Sequence, residues 1–457
     1  MDRFTEMTEG PLKKLICRMA GPSMASMLVT AVYNMADTYF VGFIGTSATG
    51  AVGVVFSLMA VIMATGLFFG HGSGNAISRA LGEQREEVAS HMLATGFFCS
   101  FGMGALIAGA GLLFLEPLAR FLGATETILP HACGYMRYIL LGTPFMAASL
   151  TLNNQLRFQG SPKNGMLGIV SGALINIALD PIFIFALKMG TAGAGLATML
   201  SQMFSFSLLL YGCTRAGNLR IRPKAFAVTR AAAWEMLRSG FPSMARQLLS
   251  AAATIALNRA ARGYGDAAIA AMAIVSRLMS FANSAVLGFG QGFQPVCGFN
   301  YGAGRYDRVL AGYRFCQRTA LTALLVAAGA GLAFAGPLVA VFRDDPAVLA
   351  VGVRALRLQC ATFPLVGFVI MANMLFQNIG AALPASLLSI ARQGLFFLPA
   401  LLLLAPLLGI LGLQLSQPIA DICTFCLALP MSLRACKRLG EMGGDNAGKG
   451  LGNKCGS

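Results

Sequence analysis

Charge is what this chain lacks. Only 11% of its 457 residues are Asp, Glu, Lys or Arg, against 56% hydrophobic residues and a mean hydropathy of +0.69. So little charge cannot cover a water-soluble surface, and the composition excludes the soluble class. Histidine is scarce as well. His71, His91 and His131 are far apart, two of them in or near loops where solvation accounts for them, so no metal-ligand or nucleophile–base spacing exists and an enzyme is not expected. The cysteines are scattered singly apart from Cys423 and Cys426, which sit on an apolar run without other ligands and read as packing. The glycines at 70–74 follow no strand and precede no P-loop lysine, which removes a nucleotide loop. No resident cofactor is expected. The single tryptophan, Trp234, beside Glu235, reads as an interfacial anchor. No small-residue cleavage pattern follows the first apolar run, which is expected to stay as a helix and not to be removed as a signal.

Long apolar runs are abundant. Stretches of about 20 apolar residues, the length that crosses a bilayer as a helix, recur about twelve times along the chain. The formal net charge of +16 is gathered in alternate loops and so does not point to nucleic acid. Arg3, Lys13 and Lys14 precede the first span, Arg79 and Arg85 follow the second, and Arg157 and Lys163 follow the fourth. Arg215, Arg220, Arg222, Lys224 and Arg230 fill the central loop, and Arg434, Lys437 and Arg438 lie after the last span. The intervening loops hold only a scattering, such as Arg120, Lys188, Arg262 and Arg343. That asymmetry orients the chain with both termini in the cytoplasm.

The chain repeats itself. "PSMA" at Pro22 recurs as "PSMA" at Pro242, 220 residues on. The same offset carries Gly70, Gly72, Gly82 and Arg85 onto Gly290, Gly292, Gly302 and Arg305, and Arg137, Pro144, Asn153 and Gly160 onto Arg357, Pro364, Asn373 and Gly380. The expected fold is therefore an all-α polytopic membrane protein with twelve transmembrane helices in two six-helix lobes, related by a pseudo-two-fold axis along the membrane normal. The expected divisions are an N-terminal lobe at 1–216, a basic cytoplasmic loop at 217–231, a C-terminal lobe at 232–438 and a disordered glycine-rich tail at 439–457. Two such bundles around a cleft are the plan of an alternating-access transporter.

The repeat also supplies an internal control for the few intramembrane acids, which are Asp37, Asp180 and Asp421. Asp37 has Leu257 as its twin, so the fold does not demand a carboxylate there. Asn176 and Asp180 stand four residues apart and face one way on the fifth span, and Pro181 beside them withholds a backbone donor. Thr198, Ser201 and Gln202 share a face of the sixth span, as Tyr33, Asn34 and Asp37 do on the first. An aspartate at mid-membrane costs about 2.5–3.5 kcal/mol on the insertion scale, a cost relieved by water, a cation or a proton. Each relief makes the site respond to ions. Tyr33, Asn34, Tyr138, Asn153 and Gln202 are read as candidate members of the ion or substrate pocket, and Pro22 as a candidate hinge. Arg246, Arg392 and Asp421 are a candidate polar network of the second lobe.

At these residues the chain resembles the multidrug and toxic compound extrusion (MATE) transporters over nearly its whole length. The resemblance rests on "D..FVG..G" at Asp37, "FQGSPKNG" after the fourth span, "N...DP.F" at Asn176, "G.A.GLAT..SQ" in the sixth span, "GFGQGFQPVCGFNYGA" in the eighth, and "QNIG" with "RQ" around the eleventh. "PSMARQ" and "QPIAD" resemble the prokaryotic branch of MepA-type pumps. The resemblance implies a secondary active antiporter in the bacterial plasma (inner) membrane, exporting amphipathic, often cationic drugs in exchange for H+ or Na+. It implies coupling at Asp37, Asn176, Asp180 and Thr198, which are also the residues that would hold Na+. The acids that some branches carry on spans 7 and 10 are missing; Arg246, Gln247, Arg354, Arg357 and Gln359 stand there. A monomer is expected. A flippase for lipid-linked oligosaccharides of the same superfamily shares the two-lobe plan and is the alternative, with Arg137, Arg157, Arg246 and Arg357 available to a pyrophosphate.

Overall fold

The computed structural model describes residues 3–215, 217–343 and 345–452. Among them there is no strand, and twelve long helices follow one another. The first six are α1 (Leu12–Gly42), α2 (Thr46–Gly82), α3 (Glu86–Leu113), α4 (Leu129–Phe158), α5 (Pro162–Ala186) and α6 (Thr191–Thr214). The second six are α7 (Arg230–Arg262), α8 (Asp266–Gly302), α9 (Tyr306–Ala333), α10 (Pro346–Asn378), α11 (Ala382–Leu408) and α12 (Ile410–Gly452). The repeat seen in the sequence is a repeat of elements. Thr46 and Asp266 open α2 and α8, Gly82 and Gly302 close them, and Glu86 and Tyr306 open α3 and α9, each pair 220 residues apart. The end of the tail expected from sequence to be disordered, 453–457, lies outside the described residues; the backbone before it is helical through Gly452.

Ten of the twelve helices are long and apolar enough to cross a membrane. The other two, α4 and α7, are long enough, with 30 and 33 residues, but too polar. The reason is visible in α4, the central helix of its bundle, which packs on α2, α3, α5 and α6. Its Asn154, Gln155 and Arg157 are buried among those neighbours, so their polarity is not presented to lipid. Small residues allow the close approach. Gly66, Gly70 and Gly74 form a stripe on α2, where an added Cβ would stand 2.8 Å from Leu150 and 2.8 Å from Asn154 of α4 and would enter the Phe158 ring.

The chain resolves into two compact units. The first holds residues 1–4 and Gly21–Gln247, and the second Thr5–Ala20 and Leu248–Ser457. They differ from the expected lobes at the starts of α1 and α7, and the cause is again glycine. Gly72 of α2 lies 2.7 Å from the Met236 carbonyl at the position a Cβ would take, so the first half of α7 seats in the first unit. Its twin Gly292 of α8 meets the backbone of Ala20, so the first half of α1 seats in the second. Pro22 and Pro242 lie inside α1 and α7.

Each bundle breaks its regular helix once. In α5 the hydrogen-bond register widens to a π-helix at Ile182–Ala186, directly after Pro181, and in α11 it does so at Ala391–Phe397. A proline with no N–H accounts for the first break, and such stretches mark places where side chains are re-aimed. Asp180 stands before one and Arg392 inside the other.

Candidate functional site

The site is built from four helices of the first unit. Asp37 sits five residues before the end of α1, with Tyr33 one turn earlier on the same face. Asp37 Oδ1 is buried and has no hydrogen-bond partner. On α5, Asn176 and Asp180 are both 0% exposed. With its amide turned so that both ends find complements, Asn176 Nδ2 donates to Asp180 Oδ2 at 3.1 Å and its Oδ1 accepts from the Thr198 N–H at 3.3 Å. The other carboxylate oxygen, Asp180 Oδ1, has no partner. On α6, Thr198 is buried and its hydroxyl donates to the Ala194 carbonyl at 3.0 Å.

These groups form one electrostatic cluster. Asp180 feels the charge of Asp37, and Tyr33 and Tyr135 feel both acids. Tyr135, on α4, is buried, interacts electrostatically with the Thr198 side chain and donates to Met59 Sδ at 3.8 Å. Two carboxyl groups, each with an oxygen lacking a donor, repel each other in a low-dielectric interior and favour a positive occupant. The donor set is oxygen alone, which suits a proton or a hard cation and not a transition metal. Among the described residues no cluster of three or more His, Cys, Asp or Glu side chains is assembled.

The remaining sequence candidates fall elsewhere. Asn34 is exposed and Gln202 half-buried on their helices. Tyr138 lies against Gly195 of α6, its Cβ 3.2 Å from where a Gly195 Cβ would be. Asn153 is many residues further along α4, with Oδ1 2.5 Å from the corresponding point at Gly165 of α5. The residue that sequence reasoning missed is Tyr135, three positions before Tyr138. The signal available was the tyrosine itself in "GYMRY"; the choice between the two depends on how α4 crosses α6, which residue spacing does not reveal.

In the second unit, the Asp421 carboxylate accepts from Arg392 Nε at 2.8 Å, Gln417 Nε2 at 2.9 Å and Thr362 Oγ1 at 3.4 Å. Arg246, grouped with this pair from the sequence, belongs to the first unit, where its charge reaches His71 and Arg157. His71 needs a correction too. Loop solvation does not account for it, because it is 2% exposed on α2, with Nδ1 donating to the Leu67 carbonyl at 3.3 Å.

A family model, MatE, matches residues 22–182 and again 242–411, once on each half of the repeat. The chain belongs to the MATE family. Among similar proteins is the multidrug export protein MepA of Staphylococcus haemolyticus (strain JCSC1435), 28% identical over 432 residues, covering 93% of each chain. A crystal structure of MATE in complex with MaL6 superposes with a TM-score of 0.90 at 25% identity, over 96% of this chain and 100% of that one. The outward-facing conformation of a multidrug resistance MATE family transporter of the MOP superfamily also gives 0.90, at 26% identity over 96% and 98%. This MATE chain is thus an integral membrane protein of twelve helices, and its named homologue is an export protein, not an enzyme.

Proposed function

We propose that this MATE protein is a secondary active multidrug efflux antiporter. It exports amphipathic, often cationic compounds in exchange for entry of H+ or Na+, and Asp37 and Asp180 are its coupling acids. The observation that carries the reading is the pair of buried, partnerless carboxylate oxygens on those residues, within each other's electrostatic reach. Similarity to a multidrug export protein and to an outward-facing multidrug resistance transporter supports the substrate class and alternating access.

The cycle follows from charge. With both acids ionised, the cluster repels itself and attracts a cation or an amphipathic cationic drug. An ion entering from outside neutralises Asp37 and Asp180, removes that attraction and favours drug release; ion loss to the cytoplasm restores it. Asn176 steadies one Asp180 oxygen, and Thr198 and Tyr135 supply hydroxyls beside it. Na+, where it is the coupling ion, is held by Asp37, Asn176, Asp180 and Thr198. Each charge crossing releases about 2.3 kcal/mol per 100 mV and each pH unit about 1.4 kcal/mol, enough for one ion to concentrate a neutral drug tenfold or more. Pro22 is the proposed bend point of α1, two residues past the Ala20 boundary where the helix passes from one compact unit to the other. The basic alternate loops put both termini on the cytoplasmic side of a bacterial inner membrane, and the protein acts as a monomer.

Efflux of a fluorescent organic cation from proteoliposomes, with proton and sodium gradients imposed separately, tests the proposal and identifies the ion. Export driven by one gradient is expected. Indifference to both gradients, with translocation of a lipid-linked oligosaccharide instead, would replace the antiporter with the flippase.

A further inference from the structure

A second buried ionic feature of the first unit plays no part in that cycle. Near the end of α4, Arg157 is 3% exposed. Its Nη2 donates to Asn154 Oδ1 at 2.5 Å and lies 3.5 Å from His71 Nε2, and the guanidinium sits 5.0 Å from the centre of the Phe158 ring. Its Nε and Nη1 have no partner. Because His71 Nδ1 is engaged with the Leu67 carbonyl, its Nε2 carries the lone pair that faces Arg157, so the imidazole is neutral and balances none of the charge. Among the described residues no carboxylate forms an ion pair with Arg157. Its electrostatic neighbour is another cation, Arg246 of α7. One turn beyond His71 on the same face of α2, Asn75 is 0% exposed and neither of its amide atoms has a partner.

The repeat shows that the fold does not need this charge. The twins of His71 and Arg157, 220 residues on, are Gln291 and Gln377, both neutral and buried. Gln377 Nε2 donates to Asn373 Oδ1 at 2.5 Å, a hydrogen bond within α10 made without any charge. A guanidinium stays protonated in a protein interior, and an uncompensated buried charge is strongly destabilising. Water can satisfy N–H groups there but cannot balance the charge.

We propose that Arg157 and Asn75 form a binding site for a small monovalent inorganic anion of the halide class. The anion accepts from the free Arg157 N–H groups and from the Asn75 amide, and it balances the buried Arg157 charge. The burial of Arg157 and Asn75 puts both out of reach of a lipid headgroup at the surface.

The test uses the full chain purified in detergent in sodium gluconate, with sodium chloride or bromide exchanged in at constant ionic strength. Chloride and bromide are expected to raise the thermal unfolding midpoint by several degrees in a saturable way. Arg157→Gln, which copies the twin Gln377, is expected to fold and to lose that dependence. Asn75→Leu keeps the charge and is expected to shift the saturation point to higher chloride; it decides the matter should Arg157→Gln not fold. Bromide-soaked crystals should show an anomalous peak within hydrogen-bond distance of Arg157 Nε or Nη1. Equal midpoints in gluconate and chloride, or a dependence unchanged by both substitutions, or no such peak, overturns the proposal.

Discussion

Asp421 is the intramembrane acid whose hydrogen bonds are satisfied, and removing its charge should cost stability and not transport. Its carboxylate is 3% exposed and holds Arg392, Gln417 and Thr362, whereas Asp37 and Asp180 each keep an oxygen without a partner. Breaking one side of a buried ion pair costs about 3–5 kcal/mol because the remaining charge is stranded. The Arg392 side chain is 23% exposed and keeps part of its hydration, which brings the expectation for Asp421→Asn to about 2–3 kcal/mol. Adding Arg392→Gln to Asp421→Asn removes the stranded charge and should recover most of that loss, a coupling of about 1–3 kcal/mol between the two sites. The assay is thermal unfolding in detergent micelles of wild type, both single variants and the double variant, with gradient-driven efflux measured on the folded samples. Additive losses across the cycle would refute the ion-pair reasoning. Loss of efflux in a folded double variant would refute the confinement of coupling to the first unit.

Other predictions follow from packing and from the site. Gly74→Ala puts a methyl into the buried Phe158 ring, 2.8 Å from Cε2, and should cost about 1–3 kcal/mol by overpacking. Gly102→Ala on α3 meets nothing within 4 Å and should be neutral or stabilising by up to about 1 kcal/mol, because alanine is the better helix former; thermal unfolding of the pair checks both signs. Tyr135→Phe deletes one hydroxyl beside Thr198 and should leave the fold intact. The loss of about 1 kcal/mol weakens apparent affinity for the coupling ion roughly fivefold, and efflux measured against ion concentration would show no shift if Tyr135 merely packs.

The helices and their number are legible in the sequence because membrane burial imposes long apolar runs, and the 220-residue repeat orders them into two halves. The buried acid cluster is legible for a related reason. A four-residue spacing fixes Asn176 and Asp180 on one face, and acids in oil have few ways to be tolerated. What stays hidden is whatever depends on how helices cross. Tyr135 and Tyr138 differ by three residues and both lie against Gly195 of α6, and only the way α4 crosses α6 brings Tyr135 to Thr198. Arg157 stands at the end of α4, a position that reads as loop-facing, while His71 lies well inside α2, and the packing of α2 on α4 through Gly70 and Gly74 is what encloses them. The exchange of helix starts between the compact units had a signal in the twin glycines Gly72 and Gly292, but a glycine does not announce which backbone it will touch.

The most direct measurement is gradient-driven efflux by Asp37→Asn and Asp180→Asn, reconstituted beside wild type at matched protein levels. Both variants are expected to insert and unfold at wild-type or higher temperature, since a carboxamide is cheaper to bury than a carboxylate, and both are expected to lose efflux. Transport near the wild-type rate by both folded variants would contradict the account.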